Sequence, residues 1–303
     1  MGAAYGYTKD DLYPFIRSLR ATGFSGDVML LVAEDKNGLY QWLQSEGVRL
    51  WRIYPLVGFL PEPWRRRLLS YRLNWVHRHF DAVCDAIGYN RATHRLVKAL
   101  IAPLFHHIAC ARYCFYYRYL WTHRNHYDHI LIADCRDVIF QTNPFLRAKG
   151  ECLKCFLEGS KYSIQSEQWN AAWVEDIYGS RVLAQIGDDY VSCSGVTIGP
   201  TESLLGYLGY MIDEISRATV RINGCAGYDQ GIHNYLIRSK TLKAVELCGN
   251  GEDLVLTMSG IDASEVNFVG GQIVGPGHEV IPIIHQYDRV SEIRDHLLRG
   301  ILL

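Results

Sequence analysis

Apolar positions change their period repeatedly along the opening of the chain. In DLYPFIRSLRATGFSGD, Leu12, Phe15, Ile16 and Leu19 recur at helical spacing, and Gly23 and Gly26 close the stretch. VMLLVAE follows as an unbroken apolar block, the pattern of a parallel strand buried on both faces. NGLYQWLQSEG returns to helical spacing and VRLWRIY predicts another strand. With the short strand AAY in front, the order is β-α-β-α-β. That alternation predicts an α/β fold with a parallel, doubly wound sheet, whose ligands sit at the carboxyl ends of the strands.

Residues from Pro61 to Tyr127 are helix-rich, aromatic and basic, and Pro103 is expected to kink or divide the long helical pattern LVKALIAPLFHHIACARYCFYYRYLW. In HILIADCRDVIFQTNPF, Ile130 to Ala133 reads as a short core strand, and VIF after Asp137 as a second one. CLKCFLEG predicts a strand, and YVSCSGVTIGP a short one bounded by small residues. SEQWNAAWVEDIYG and TESLLGYLGYMIDEISRA predict helices, each with a Ser or Thr cap and a Glu in the first turn. GYDQGIHNYLIRS predicts another helix, after which the chain turns Gly-rich and strand-like through EVIPIIHQYD. There is no internal repeat or low-complexity linker, so a single domain over residues 1–303 is expected, with lobes of about 1–140 and 141–303.

Composition narrows the function classes. Hydrophobic residues at 49% and charged residues at 21% are ordinary for a soluble globular protein. A net charge of -1 argues against a nonspecific nucleic-acid binder, which needs a clearly basic face. The nine cysteines (Cys84, Cys110, Cys114, Cys135, Cys152, Cys155, Cys193, Cys225 and Cys248) follow no small-scaffold framework, so most of them are expected to be reduced and internal. No run approaches the roughly 18 apolar residues of a membrane helix, and no basic-then-apolar signal opens the chain. A cytoplasmic location is expected, or a luminal catalytic fragment of an anchored enzyme. AAY is very short for a first core strand, which leaves room for an upstream piece of it.

The chemistry concentrates where strands end. Asp134 and Asp137 flank Cys135 and Arg136, and in an extended chain positions i and i+3 point to opposite faces. They can share one cation only if the chain bends at Cys135 and Arg136. Two hard oxygen ligands there would suit Mg2+ or Mn2+ carrying a diphosphate. The alternative is a carboxylate pair neutralised by Arg136 or a nearby helix terminus. Asp229 and Gln230 fall at a helix start, where a carboxylate is favoured and can accept sugar hydroxyls. His285 ends an apolar run and offers a third metal ligand. Cys152 and Cys155 lack a second pair at zinc spacing and read as core. His123, His126 and His129 read as a solvated loop, and Trp64 to Arg67 as a basic helix face that could alternatively grip a phosphate.

The ordered set resembles the GT-A-fold glycosyltransferases, most of all the glycogenin-like and lipopolysaccharide galactosyltransferases, which use nucleotide-sugar donors and retain anomeric configuration. The set is strand-Asp-x-x-Asp, then Ser-Gly-Val-x-x-Gly, then Asp-Gln opening a helix, then a strand-terminal His. The resemblance implies a mostly parallel central sheet flanked by helices, an amino-terminal nucleotide-sugar-binding lobe, and a carboxyl-terminal acceptor-binding and catalytic lobe. It implies a hexosyl- or pentosyltransferase that uses Mn2+ or Mg2+, a nucleotide-sugar donor, in the first place a UDP-sugar, and a glycan or glycoconjugate acceptor. Carried over residue by residue, Asp134, Asp137 and His285 hold the metal, and Arg112 contacts the donor or a motif carboxylate. Asp229 binds donor hydroxyls, Gln230 lies on the sugar face opposite the leaving group, and Ser194 and Gly195 approach the sugar through their backbone. Ala3, Tyr5, Gly6 and Tyr7 form the loop that holds the nucleoside. The usual acidic motif is Asp-x-Asp, and here Arg136 stands at its last position. Two other readings remain open: a non-catalytic nucleotide-sugar or glycan-binding protein, and a haloacid-dehalogenase-like phosphohydrolase, which wants an aspartate where Arg136 stands.

Overall fold

The computed structural model describes residues 1–53, 90–104, 106–218 and 227–302. β1 (Gly2–Ala3), β2 (Val28–Val32) and β3 (Val48–Arg52) pair in parallel, with Leu30 between Gly2 and Leu50. Their crossovers are α1 (Lys9–Ala21) and α2 (Leu39–Ser45). All five β2 residues are buried, which is why their run lacks polar alternation. The Met1 amino group donates to Leu131 O at 2.6 Å, and Ala133 N donates to Met1 O at 3.0 Å, so β4 (His129–Ala133) lies beside β1.

Beyond β4 the pairing changes hand. β5 (Val138–Phe140) leaves for another sheet, while β6 (Leu153–Leu157) and β4 both pair antiparallel with β7 (Ser192–Pro200). β8 (Val245–Cys248) is parallel to β6, giving the order β4-β7-β6-β8. The sheet is therefore parallel at its amino-terminal side and mixed from β4 onward. β7 spans nine residues rather than the short strand expected, and eight of them are buried between its two neighbours. A separate sheet places β12 (Ile283–His285) between β5, antiparallel, and β9 (Val255–Thr257), parallel. β10 (Asn267–Val269) and β11 (Gln272–Val274) form a hairpin.

Pro103 divides the expected helical pattern into α3 (Arg91–Ile101), a 3-10 turn (Ala102–Leu104) and α4 (Ile108–His123). α4 is buried nearly all round, with Cys110, Tyr113, Cys114, Tyr116, Tyr117 and Leu120 all inside. Next come α5 (Gln168–Tyr178), α6 (Ser180–Ile186), α7 (Thr201–Arg217), α8 (Tyr228–Arg238) and α9 (Ser291–Leu302). The core between α4 and α7 joins Tyr113 and Tyr116 to Leu204, Leu208 and Met211. No helix among the described residues is long and apolar enough to cross a membrane.

The expected caps are corrected. Glu167 caps α5, accepting from Asn170 N at 2.7 Å, because Ser166 is engaged in a turn with Ser163. Pro200 precedes α7, and Thr201, already helical, donates its hydroxyl to Tyr127 O.

His233 ties α8 to the core, with Nε2 at 3.0 Å from Ser192 Oγ and Nδ1 at 2.8 Å from Tyr207 OH. It is fully buried, and burial, followed by the Arg238 and Arg112 charges, pulls its pKa down to about 3. The unfolded chain then takes up this proton first, so the contribution is complete above about pH 6.5 and is lost as pH falls toward the folded value. Stability should drop by about 1.4 kcal/mol per pH unit over that window from this group alone. Urea unfolding between pH 7 and pH 4.5 should give a shallower pH dependence for His233→Gln than for the wild type; equal slopes would remove His233 from this role.

Candidate functional site

β4 stops at Ala133, the chain bends over residues 134–137, and β5 begins at Val138. This supplies the bend that two carboxylates three positions apart require. β12 runs alongside β5, with His285 opposite both Val138 and Thr257. One ligand atom from each of Asp134, Asp137 and His285 therefore falls within 4.8 Å of the others. His285 Nε2 is 3.8 Å from Asp134 Oδ2. Gly195 on β7 forms the wall, accepting from Asp134 N at 2.8 Å. A Cβ at Gly195 would meet His285 Cε1 and Nε2 at 2.6 Å and Asp134 Oδ2 at 2.9 Å, so the cluster occupies the space a side chain would need.

Arg112 reaches the cluster from α4, a helix that otherwise presents apolar and aromatic side chains to the core. One Nη pairs with Asp134 and the other with Asp229 Oδ2, at 2.9 Å. Asp229 also accepts from Ser194 Oγ at 3.4 Å and Tyr113 OH at 3.5 Å. Burial works to raise the Asp134 pKa, but Arg112 and His285 hold it well below the carboxylate range. Burial pushes Asp137 up, and the Asp134 charge adds to that. His285 is pulled down by burial yet carried well above its ordinary value by Cys193 and the carboxylates.

The His285 Nε2 atom is buried and has no hydrogen-bond partner among the described residues. An orphaned imidazole nitrogen aimed at two carboxylates fits a divalent cation that prefers oxygen and accepts nitrogen, a donor set that suits Mn2+ better than the strictly oxygen-binding Mg2+. A second acidic group is formed by Glu246, Cys248 and Asp253. Both groups carry basic partners, Arg112 on Asp134 and Arg136 at 3.7 Å from Asp137 in the first, and Lys154 at 3.1 Å from Glu246 and 2.6 Å from Asp253 in the second. Only the first includes a buried histidine nitrogen without a hydrogen-bond partner among the described residues.

The loop after β1 runs past the same edge. Ala3 pairs with Leu31, Gly6 takes φ 78° and accepts from Lys36 Nζ at 3.1 Å, and Tyr5 is 37% exposed. Tyr7 packs against the cluster that holds Ala133, Cys135 and Val138, beside the acidic bend, and burial first, then the charges of Cys135 and Asp134, push its phenol up to about 12. Gln230, one residue beyond Asp229, donates to Glu158 Oε1 and Asn170 Oδ1, each at 3.2 Å. Ser194, Gly195, Asp229, Arg112, Asp134, Asp137 and His285 are thus brought together, with Gln230 adjoining.

Glu158 was not singled out by the sequence, although a carboxylate directly after the β6 run satisfies the same strand-end rule as Asp134. Burial raises its pKa, and it lines a cavity of ≈ 540 Å³ with Gly159, Tyr190, Asn250 and Ile281. Another cavity, ≈ 520 Å³, opens between Val28 to Leu30 and His129 to Leu131 and reaches Ala133 and Phe140, with none of Asp134, Asp137 and His285 in its lining. Cys155 is core and Cys152 half-buried, both free thiols. His123 stacks on Tyr119 at 4.2 Å and His129 contacts Gly150 O at 3.1 Å; neither joins a metal cluster among the described residues. Trp64 to Arg67 lie outside the described residues.

No family profile and no curated protein matches the chain. Among solved structures, the chain is similar to the galactosyltransferase LgtC in complex with donor and acceptor sugar analogs. The two are 13% identical, with 94% of this chain and 85% of that chain covered and a TM-score of 0.46. At that level the similarity adds nothing to what the side-chain geometry carries.

Proposed function

We propose that the chain is a metal-dependent glycosyltransferase of the GT-A type, moving a sugar from a nucleotide-sugar donor, in the first place a UDP-sugar, to a glycan or glycoconjugate acceptor. The observation that carries this is the convergence of Asp134, Asp137 and His285 at a strand edge, with Arg112 linking Asp134 to Asp229. Held by the three ligands, Mn2+ or Mg2+ would neutralise the charge that develops on a departing nucleoside diphosphate.

The remaining roles belong to the chain itself. Asp229, fixed by Arg112 and Ser194, accepts hydroxyls of the donor sugar. Gly195 lets backbone approach the sugar and the cation. The loop from Ala3 to Tyr7 holds the nucleoside, and Gln230 faces the sugar from the side away from the diphosphate. Retention is the outcome the family resemblance implies, and inversion would need a base in the site, for which the buried carboxylate of Glu158, accepting from Gln230 at 3.2 Å and raised in pKa by burial, is the group to test.

Differential thermal shift across UDP, GDP and UDP-sugars, with and without Mn2+, tests the proposal. A ligand at about a hundred times its Kd adds about 2.7 kcal/mol. The expected result is stabilisation that needs both Mn2+ and a nucleotide and vanishes in Asp134→Asn. No shift with any nucleotide would sink the proposal. Binding without donor turnover would favour the non-catalytic reading, and release of phosphate from a monoester the phosphohydrolase.

A further inference from the structure

The two ring nitrogens of His285 have different neighbours. Nε2 faces Asp134 Oδ2 at 3.8 Å, while Nδ1 lies 3.3 Å from Thr257 Oγ1 and 3.6 Å from Cys193 Sγ. A nitrogen that gives its lone pair to a cation carries no proton, so the neutral ring must carry its proton on Nδ1. That N–H, buried with the ring at 1% exposure, needs an acceptor. The thiol sulfur of Cys193 is a weak acceptor, whereas the Thr257 hydroxyl oxygen is a good one.

Thr257 is held where this requires it. It is fully buried and stands opposite His285 in the β9-β12 register. The Asn250 side chain clamps its backbone from both sides, accepting from Thr257 N at 2.7 Å and donating to Thr257 O at 2.9 Å. Met258 N then donates to His285 O at 3.0 Å, which fixes the two strands to each other beside the ring.

We infer that Thr257 is a positioning residue for the cation site: its hydroxyl accepts the His285 Nδ1 proton and so presents Nε2 as the ligand atom. The inference rests on the proposed cation site at Asp134, Asp137 and His285. It concerns a residue that would touch neither cation nor substrate. Partners of this kind, behind a metal-ligating histidine, are typically worth about 10–100-fold in metal affinity.

The test compares full-length wild type, Thr257→Val, Thr257→Ala and Thr257→Ser. Mn2+ affinity is read from the free-ion electron paramagnetic resonance signal, with Mn2+ alone and with UDP present, and the metal-free melting midpoint is recorded for each. Valine keeps the shape and removes the acceptor; alanine cannot clash and serves if valine is poorly accommodated. Both are expected to weaken Mn2+ binding by about 10–100-fold, while serine restores it to within a few-fold of wild type. A purely structural residue would instead lower the metal-free midpoint without separating serine from valine. Wild-type affinity in the valine and alanine variants, or equal weakening in serine and valine, overturns the role of Thr257 alone. If the wild type takes up no Mn2+ in either condition, the cation site itself falls, and this inference with it.

Discussion

Gly195→Ala is expected to abolish Mn2+ uptake while leaving the protein folded. The added Cβ would lie 2.6 Å from His285 Nε2 and 2.9 Å from Asp134 Oδ2, closer than carbon can approach either atom. Neither side can yield cheaply. His285 is enclosed and fixed in the β5-β12-β9 sheet, and Gly195 is held in β7 with its carbonyl bonded to Asp134 N. The contact must therefore be relieved at Asp134, whose side chain is 31% exposed against 1% for His285, and its displacement opens the cluster of ligand atoms. Overpacking of this kind costs about 1–3 kcal/mol, so the metal-free variant should melt earlier yet cooperatively. Gly206→Ala on α7, where nothing lies within 4 Å of the new Cβ, is the control and should bind Mn2+ like the wild type. Wild-type Mn2+ affinity in Gly195→Ala would show that the cation does not sit between these residues.

How far the site was legible depends on the range of the interaction concerned. Asp134, Asp137, Asp229 and His285 were visible because each charged residue interrupts or ends an apolar run, a local signal. Whether the two aspartates could meet was not visible, since that depends on the bend at Cys135 and Arg136. Arg112 was legible only through the family resemblance, because nothing in CARYCFYYRYL says which carboxylates it reaches across 22 and 117 positions of the chain. Thr257 and Cys193 were illegible for the same reason: their partner is set by strand register, and a register is written in no single segment.

The fold divides along the same line. The β-α-β-α-β opening was legible because parallel strands joined by short crossovers carry their order in the sequence. The direction of β7 was not. A run buried on both faces reads alike whether its neighbours are parallel or antiparallel, and only the reversal between β6 and β7 makes the sheet mixed. The misread caps show a third limit. Ser166 and Thr201 have the chemistry of capping residues, but the Ser166 hydroxyl accepts from Ser163 N and the Thr201 hydroxyl donates to Tyr127 O, so competing partners decided where the caps fell.

Arg112→Met tests the charge balance on which the whole site depends. The Arg112 side chain is 13% exposed and the Asp229 side chain 5%, so its removal leaves Asp229 in the interior without its cation and Asp134 without the charge that holds its pKa low. Breaking a buried pair from one side costs about 3 kcal/mol or more, and urea unfolding of the metal-free variant should show that loss. Methionine keeps much of the volume, so packing accounts for little of it. Adding Asp229→Asn should recover a substantial part, because the remaining partner is then no longer charged. Mn2+ should stabilise Arg112→Met by more than it stabilises the wild type, since in the variant it supplies the positive charge that Asp134 has lost. A variant as stable as the wild type, or one that gains no more from Mn2+, would mean that the guanidinium and the cation do not share Asp134. Such a result would separate the Arg112 bridge from the cation site and leave it as a support for Asp229 alone.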